Sequence, residues 1–324
     1  MAKAEDTIRE EARAMGLRVS YREFRLHPLH LRVSLEDLEI QDDIAGIPLA
    51  HAKYVDVSLS LRRILSGAMP VSRILVRTFS VHAGEANRPL LDKLRASGKG
   101  EGEEKVPEIL LVDGFVRIRP LGPLAEWEAK IPELRIRPVR FLGTRVTVKA
   151  EQASGMIALP KAGSGGIPFD SVEADVFLKG DSVRVRKFRA SGPSVKIALS
   201  GEWDGERRMA DVKGSGEADI GGWTASGAAG GDWLRRVATE GKLTFSARFQ
   251  GNPESPEGSV KILTRNLVFT GNTPADAEVL LGFSGKTVRV ESLRGKVWGG
   301  VVSGAGKYDF TSGKGEARLS IAHA

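Results

Sequence analysis

The sequence predicts a mainly β protein: an elongated, curled antiparallel β-sheet forming an apolar groove, with short amino-terminal helices. Three observations predict it. Apolar and polar residues alternate at period two over most of the chain, the signature of strands with one face turned from water. Glycine is abundant, 38 of 324 residues, and aromatics are only 6%, which fits many strands and tight turns and argues against a helical bundle. Finally, residues 180–204 align without a gap on residues 285–309, so one meander is written twice.

The elements follow in order. Residues 1–16 read as a helix. Thr7 and Glu10 fit a capping box, Ile8, Ala12 and Met15 share a face, and Gly16 is the stop. From Leu17 the period becomes two: Leu29, Leu31, Val33 and Leu35 alternate with His30, Arg32 and Ser34. Leu38 and Ile40 resume one residue out of phase, which places a bulge or bend at Glu36 and Asp37. Residues 42–48 read as a turn, Val55 to Leu61 as a strand, "RRILSG" as a helical turn closed by Gly67, and 71–84 as another strand. "NRPLLDKLRA" (87–96) reads as a short helix. The unit 17–96 is followed by 97–106, a polar, glycine-rich loop unable to bury apolar surface. Residues 107–324 read as repeated β-meanders. The exceptions are "KAGSGGIP" (161–168), which reads as a loop, and 221–240, glycine-rich with a helical turn at "DWLRRVA".

The faces carry the functional argument. Val116 and Ile118 oppose Arg117 and Arg119; Leu134 and Ile136 oppose Arg135 and Arg137; Val183 and Val185 oppose Arg184 and Arg186. In the second copy Val288 and Val290 hold the places of Val183 and Val185. One face is aliphatic and the other ionic. Each buried valine or leucine is worth about 1.5–3 kcal/mol, so the aliphatic side needs a cover. The helices expected after residue 107 are too few to supply it. A sheet curling upon itself is the economical answer, with those eight residues lining the inside.

The order of motifs in the first third resembles the amino-terminal region of AsmA-like proteins, in particular the TamB-like branch. It runs "MGLRVSYREFRL" (15–26), "VSLEDLEIQD" (33–42), "AGIPLAHAKYVDVSLSLRRIL" (45–65) and "EANRPLLDKL" (85–94). "GVVSGAGKYD" (300–309) is similar to later parts of such chains. The resemblance implies a long curled sheet with an apolar groove, crossing the periplasm of Gram-negative bacteria from an inner-membrane anchor. It also implies phospholipid acyl chains as cargo, movement toward the outer membrane, and an outer-membrane β-barrel protein as a partner in barrel assembly. Two features depart from the pattern. The family's transmembrane helix has no counterpart here, as expected of a trimmed portion or a short relative. The region with which TamB chains meet their barrel partner is not recognisable either.

Other chemistries find little support. There are no cysteines, hence no disulfide, thiolate metal site or cysteine nucleophile. His27, His30, His51, His82 and His323 show no metal-ligand spacing. Neither a nucleophile elbow nor a phosphate-binding glycine loop occurs. No catalytic residues and no cofactor are therefore expected. No apolar run reaches the length that spans a bilayer, and "MAKAEDTIREEARAMG" is not a signal peptide. The net charge of +7 raises nucleic acid as a rival partner, yet the arginines are spread over many strands with acids nearby and few aromatics between them. The expectation is a lipid conduit supporting outer-membrane biogenesis. The rival is a structural scaffold whose sheet closes and carries no lipid.

Overall fold

The computed structural model describes residues 6, 9–10, 12–43, 46–65, 70–84, 107–118, 124–139, 143–159, 163–225, 238–252, 255–269, 274–297 and 299–323. The described residues form eighteen strands. The chain divides into two compact units, Met1–Ile157 and Ala158–Ala324. The expected helix at 87–96, the loop 97–106 and the helical turn at "DWLRRVA" up to residue 237 lie outside the described residues.

In the first unit, residues 12–14 are helical and the chain turns at Gly16, whose φ of 83° suits a residue without Cβ. Strands β1 (Leu17–Ser20) and β2 (Glu23–His27) run end to end along one edge of β3 (Arg32–Asp42). Then come β4 (Pro48–Leu59), helix α1 (Leu61–Leu65), β5 (Val71–Ala83), β6 (Glu108–Ile118), β7 (Leu124–Val139) and β8 (Gly143–Leu159). Each pairs with the next, antiparallel except for β5 and β6, which are parallel. The parallel pair corrects the uniformly antiparallel expectation. Hairpin logic applies to neighbours joined by tight turns, whereas 24 residues separate Ala83 from Glu108, ample chain for a crossover.

A second correction concerns Leu29 and Leu31. They are not strand residues: Pro28–His30 form a 3-10 turn and Leu31 is left-handed at φ 47°, so Leu29 is 95% exposed. Proline at the first helical position presets φ and lacks a donor for the ladder, which ends β2 there.

The second unit holds β9 (Gly163–Lys179), β10 (Ser182–Ser191), β11 (Val195–Asp204), β12 (Met209–Asp219), helix α2 (Ile220–Ala225), β13 (Ala238–Asn252), β14 (Ser255–Phe269), β15 (Pro274–Ser284), β16 (Thr287–Val297), β17 (Gly300–Asp309) and β18 (Lys314–His323). From β9 to β18 each strand pairs antiparallel with the next. Residues 163–168 are extended within β9, not looped. Glycine and serine adopt extended backbone as readily as turns, and sheet pairing overrides their weak local preference.

The twice-written block repeats down to backbone detail. Val183 pairs with Trp203 and Val185 with Gly201; at the same offset Val288 pairs with Tyr308 and Val290 with Gly306. Both ladders shift register at the same place, between Val185 and Phe188 and between Val290 and Leu293. Gly180 and Gly285 open the meanders at φ 55° and 58°. Asp204 and Asp309 close them, each Oδ1 accepting from the backbone N–H groups two and three residues on. Those N–H bonds hold the Asp309 carboxyl below the usual carboxylate range.

Candidate lipid-binding face

Partners in a ladder share a face of the sheet, so the register assembles the apolar surface row by row. In the first unit one row runs Val33, Val57, Ile74, Ile109, Ile136, Val146. The next runs Leu35, Val55, Val76, Leu111, Leu134, Val148. Further along the strands come Leu38, Ala52, Phe79, Gly114, Ile131, and then Ile40, Ala50, Val81, Val116, Ala129.

Between the second and third rows the alternation steps by one residue in every strand. The aliphatic positions are three apart: Leu35 and Leu38, Val55 and Ala52, Val76 and Phe79, Leu111 and Gly114, Leu134 and Ile131. Asp37, Thr78 and Asp113 occupy this step with φ of 51°, 52° and 56°, and the flanking pairs put them on one line across the strands. A left-handed residue reverses the pleat locally, which lets residues three apart take one face. The step at Asp37 is legible from β3 alone; its continuation through β7 shows only once the strands are set side by side, although the same three-residue spacing is written in each of them.

In the second unit one row runs Val185, Gly201, Val212, Phe249, Gly258, Phe283, Val288, Tyr308. A neighbouring row runs Phe188, Leu199, Gly214, Ala247, Val260, Leu281, Val290, Gly306. Large side chains stand beside glycines and lean over them. A Cβ on Gly216 would lie 2.6 Å from the Phe245 ring, and one on Gly304 2.7 Å from Leu319 Cδ2.

The eight sequence-predicted lining residues are thus distributed between the units. Val116, Leu134 and Ile136 take three different rows of the first. Val183, Val185, Val288 and Val290 lie in the second, where Val185 and Val288 share one row. For Ile118 the structure describes the backbone, paired with Ala83 and Trp127. All but Ile118, whose side chain lies outside the description, are half-buried. Reading from alternation alone missed Phe79, Phe245, Phe249 and Phe283, because their neighbours are glycines on other strands.

This face is thinly covered. No large side chain among the described residues is fully buried. α1 leaves Leu65 80% exposed, and α2 packs on β12 and β13 through Ile220. At the far edge Leu319 and Ile321 are 68% and 70% exposed. No described helix is long and apolar enough to cross a membrane.

The opposite face is largely ionic, and its charges are matched across strands. Arg117 meets Glu128 at 2.8 Å, Arg184 Glu202 at 2.8 Å, Lys196 Glu217 at 3.0 Å and Lys261 Glu278 at 2.7 Å. Leu75 and Leu110 interrupt it, standing in one row between Asp56 and Arg135. Burial opposes ionisation of Asp56, but hydrogen bonds from Arg32 and Ser34 and the charges of Arg32 and Arg77 outweigh it and hold the carboxyl below its ordinary value. A shallow depression of about 540 Å³ is lined by Arg186, Arg189, Lys213, Arg248 and Lys261 among others. Asp175, Asp211 and Glu278 pair with Arg186, Arg248 and Lys261, so little uncompensated cation is offered there to a phosphate backbone. Among the described residues no cluster of three or more carboxylates and imidazoles is placed to hold a metal ion.

Architecture and face define a class: multi-stranded β-sheet with one aliphatic surface and one ion-paired surface. No family model matches the chain. No curated protein matches it significantly either.

Proposed function

We propose that this protein carries phospholipid acyl chains along its apolar face, as a periplasmic conduit between inner and outer membrane that supports outer-membrane biogenesis. The observation that supports it most is the set of aliphatic rows running from strand to strand in each unit. Many of their large side chains, Leu134, Ile136, Val185, Phe249 and Phe283 among them, are only part-buried, where a closed core would bury them. The likeness of residues 15–94 to AsmA-like chains points the same way.

In this reading the sheet curves around its aliphatic side to form the groove. Acyl chains lie against Leu134, Ile136, Val185, Val288 and Val290, and head groups stay in water at the opening. Each methylene kept from water is worth about 0.8 kcal/mol, so the face holds a lipid that water cannot dissolve. Rows with no charged member present no barrier along their length, so movement is passive sliding. An inner-membrane anchor and an outer-membrane β-barrel partner belong to the same proposal.

Native mass spectrometry of the purified chain, incubated with phospholipid vesicles, tests it. Bound phospholipid is expected, lost in Val185→Asp/Val288→Asp with the far-ultraviolet β signal retained. A chain that binds no lipid under these conditions would leave the scaffold reading in place.

A further inference from the structure

We propose that the ionic face of the second unit holds a binding site for one phosphate monoester, in the depression that β10 to β14 form opposite the aliphatic rows. The site is independent of acyl-chain carriage.

At several places on this face a cation meets a carboxylate directly across the ladder, as Arg184 meets Glu202 and Lys196 meets Glu217. The depression departs from that pattern. Lys213 stands between Ser200 and Arg248, and Arg248 between Lys213 and Ser259. Two cations directly opposite each other cost stability unless an anion joins them. In the next row Ser215 and Ser246 lie side by side, with Lys261 beyond Ser246. Among the described residues no carboxylate lines the depression.

Arg248 binds Asp211 at 3.0 Å, Lys261 binds Glu278 at 2.7 Å, and Arg186 comes within 3.9 Å of Asp175. Glu173 stands opposite Arg189 in register, yet Lys187 takes it at 2.6 Å. Arg189 and Lys213 are left with no ion-pair partner among the described residues. Two such cations are too few for a nucleic-acid backbone and match one phosphate monoester, whose charge is about −2 at neutral pH. The hydroxyls of Ser200, Ser215, Ser246 and Ser259 are exposed and make no hydrogen bond to protein among the described residues. With the forks of Arg186 and Arg189 they supply the donors that phosphate oxygens need.

The duplicated meander shows that the fold does not require these cations. In β10 the register shift sets Arg186 and Lys187 together opposite Ser200. The same shift in β16 sets Glu291 and Ser292 opposite Ala305. A bulge re-aims the side chains it carries, and only the first copy fills it with cations and places a hydroxyl across from them.

Isothermal titration calorimetry of the full chain with phenyl phosphate at low ionic strength tests this. Sedimentation with phosphatidylcholine vesicles, with and without phosphatidic acid, asks whether the phosphate is lipid-borne. One phenyl phosphate is expected per chain. Arg186→Glu/Lys187→Ser writes the second copy's bulge residues into the first and should weaken binding about tenfold or more, as should Lys213→Ser. Arg117→Ser removes a cation from the first unit and should leave the affinity within about twofold. Circular dichroism checks that each variant keeps its fold. Binding to phosphatidic acid vesicles that is lost in Lys213→Ser supports the site with a lipid head group as its source. Binding of phenyl phosphate alone supports it with a soluble ester. Wild type that binds neither probe overturns the proposal. So does equal weakening by all three variants, which would mean attraction to net charge only.

Discussion

The two units build an apolar face by different means. In the first, β3 to β8 carry mainly valine, leucine and isoleucine, and left-handed residues on β3, β5 and β6 keep them in phase. In the second, β10 to β18 carry aromatics and leucines beside glycines, and the alternation runs with few interruptions. The first obtains its fit mostly from uniform width, with the single pair of Phe79 over Gly114 set among it, the second repeatedly from large against absent side chains. Burial differs accordingly. Leu49, Val55, Phe79 and Ile131 of the first unit are buried, whereas Leu199, Tyr308 and Leu319 of the second stay exposed. A face of even height packs closely on what curves over it, while a face of ridges and gaps keeps room for something else.

Substitutions at the two kinds of row test that contrast. The largest effect belongs to Phe79, buried at 7% exposure over Gly114. Phe79→Ala is expected to cost about 3–5 kcal/mol in urea unfolding. Phe249→Ala, half-buried in the second unit, should cost about half as much. Equal costs would erase the distinction between the units.

Next come the glycines. A Cβ on Gly114 would sit 2.0 Å from Phe79 Cε1 inside a packed row. Gly114→Ala is expected to lose about 1–3 kcal/mol, with part recovered by adding Phe79→Leu. Gly214→Ala meets the end of the exposed Leu199 side chain at 2.7 Å, which is free to swing, and should cost less. A larger loss at Gly214 would reverse the argument.

The step in the first unit predicts a smaller effect. Asp37→Val puts a β-branched residue at φ 51° and should cost about 1–2 kcal/mol by thermal unfolding. Asp37→Gly relieves the backbone while losing an exposed ion pair to Arg22, so it should lie within about 1 kcal/mol of wild type. Two equally harmful changes would mean that the left-handed turn is not what matters there.

The smallest effects come from the ionic face. Lys261→Ala removes an exposed partner of Glu278 and should change stability by less than about 1 kcal/mol. Asp56, held below its ordinary value, gives a sign for acid. The unfolded state takes up a proton at higher pH than the folded state. The contribution is therefore whole above about pH 4, the unfolded value, and lost as pH falls through the lower folded value. Urea midpoints from pH 6 to pH 2 should fall less steeply in Asp56→Asn than in wild type.

Much of this was legible in the chain. Period two at Val183, Val185, Val288 and Val290, glycines at 180 and 285, and Asp204 and Asp309 in matching places gave the meander and its repeat. These are relations within about 25 residues, where local geometry decides. The misreadings also have local causes. Leu29 and Leu31 mimic alternation, but Pro28 breaks the ladder beside them. Residues 163–168 look like a loop because glycine and serine leave backbone conformation undecided until a neighbour pairs with it.

By itself the sequence determined which residues stand on one side of each uninterrupted strand stretch, because successive side chains of an extended chain point oppositely whatever lies beside them. Only the tertiary structure decided which strands are neighbours. It set β5 parallel to β6 across a long connection, brought Phe245 over Gly216, and aligned Asp37, Thr78 and Asp113 into one step. Those outcomes depend on pairing between residues tens of positions apart, where backbone hydrogen bonds are alike at every register and only the fit of whole rows selects one.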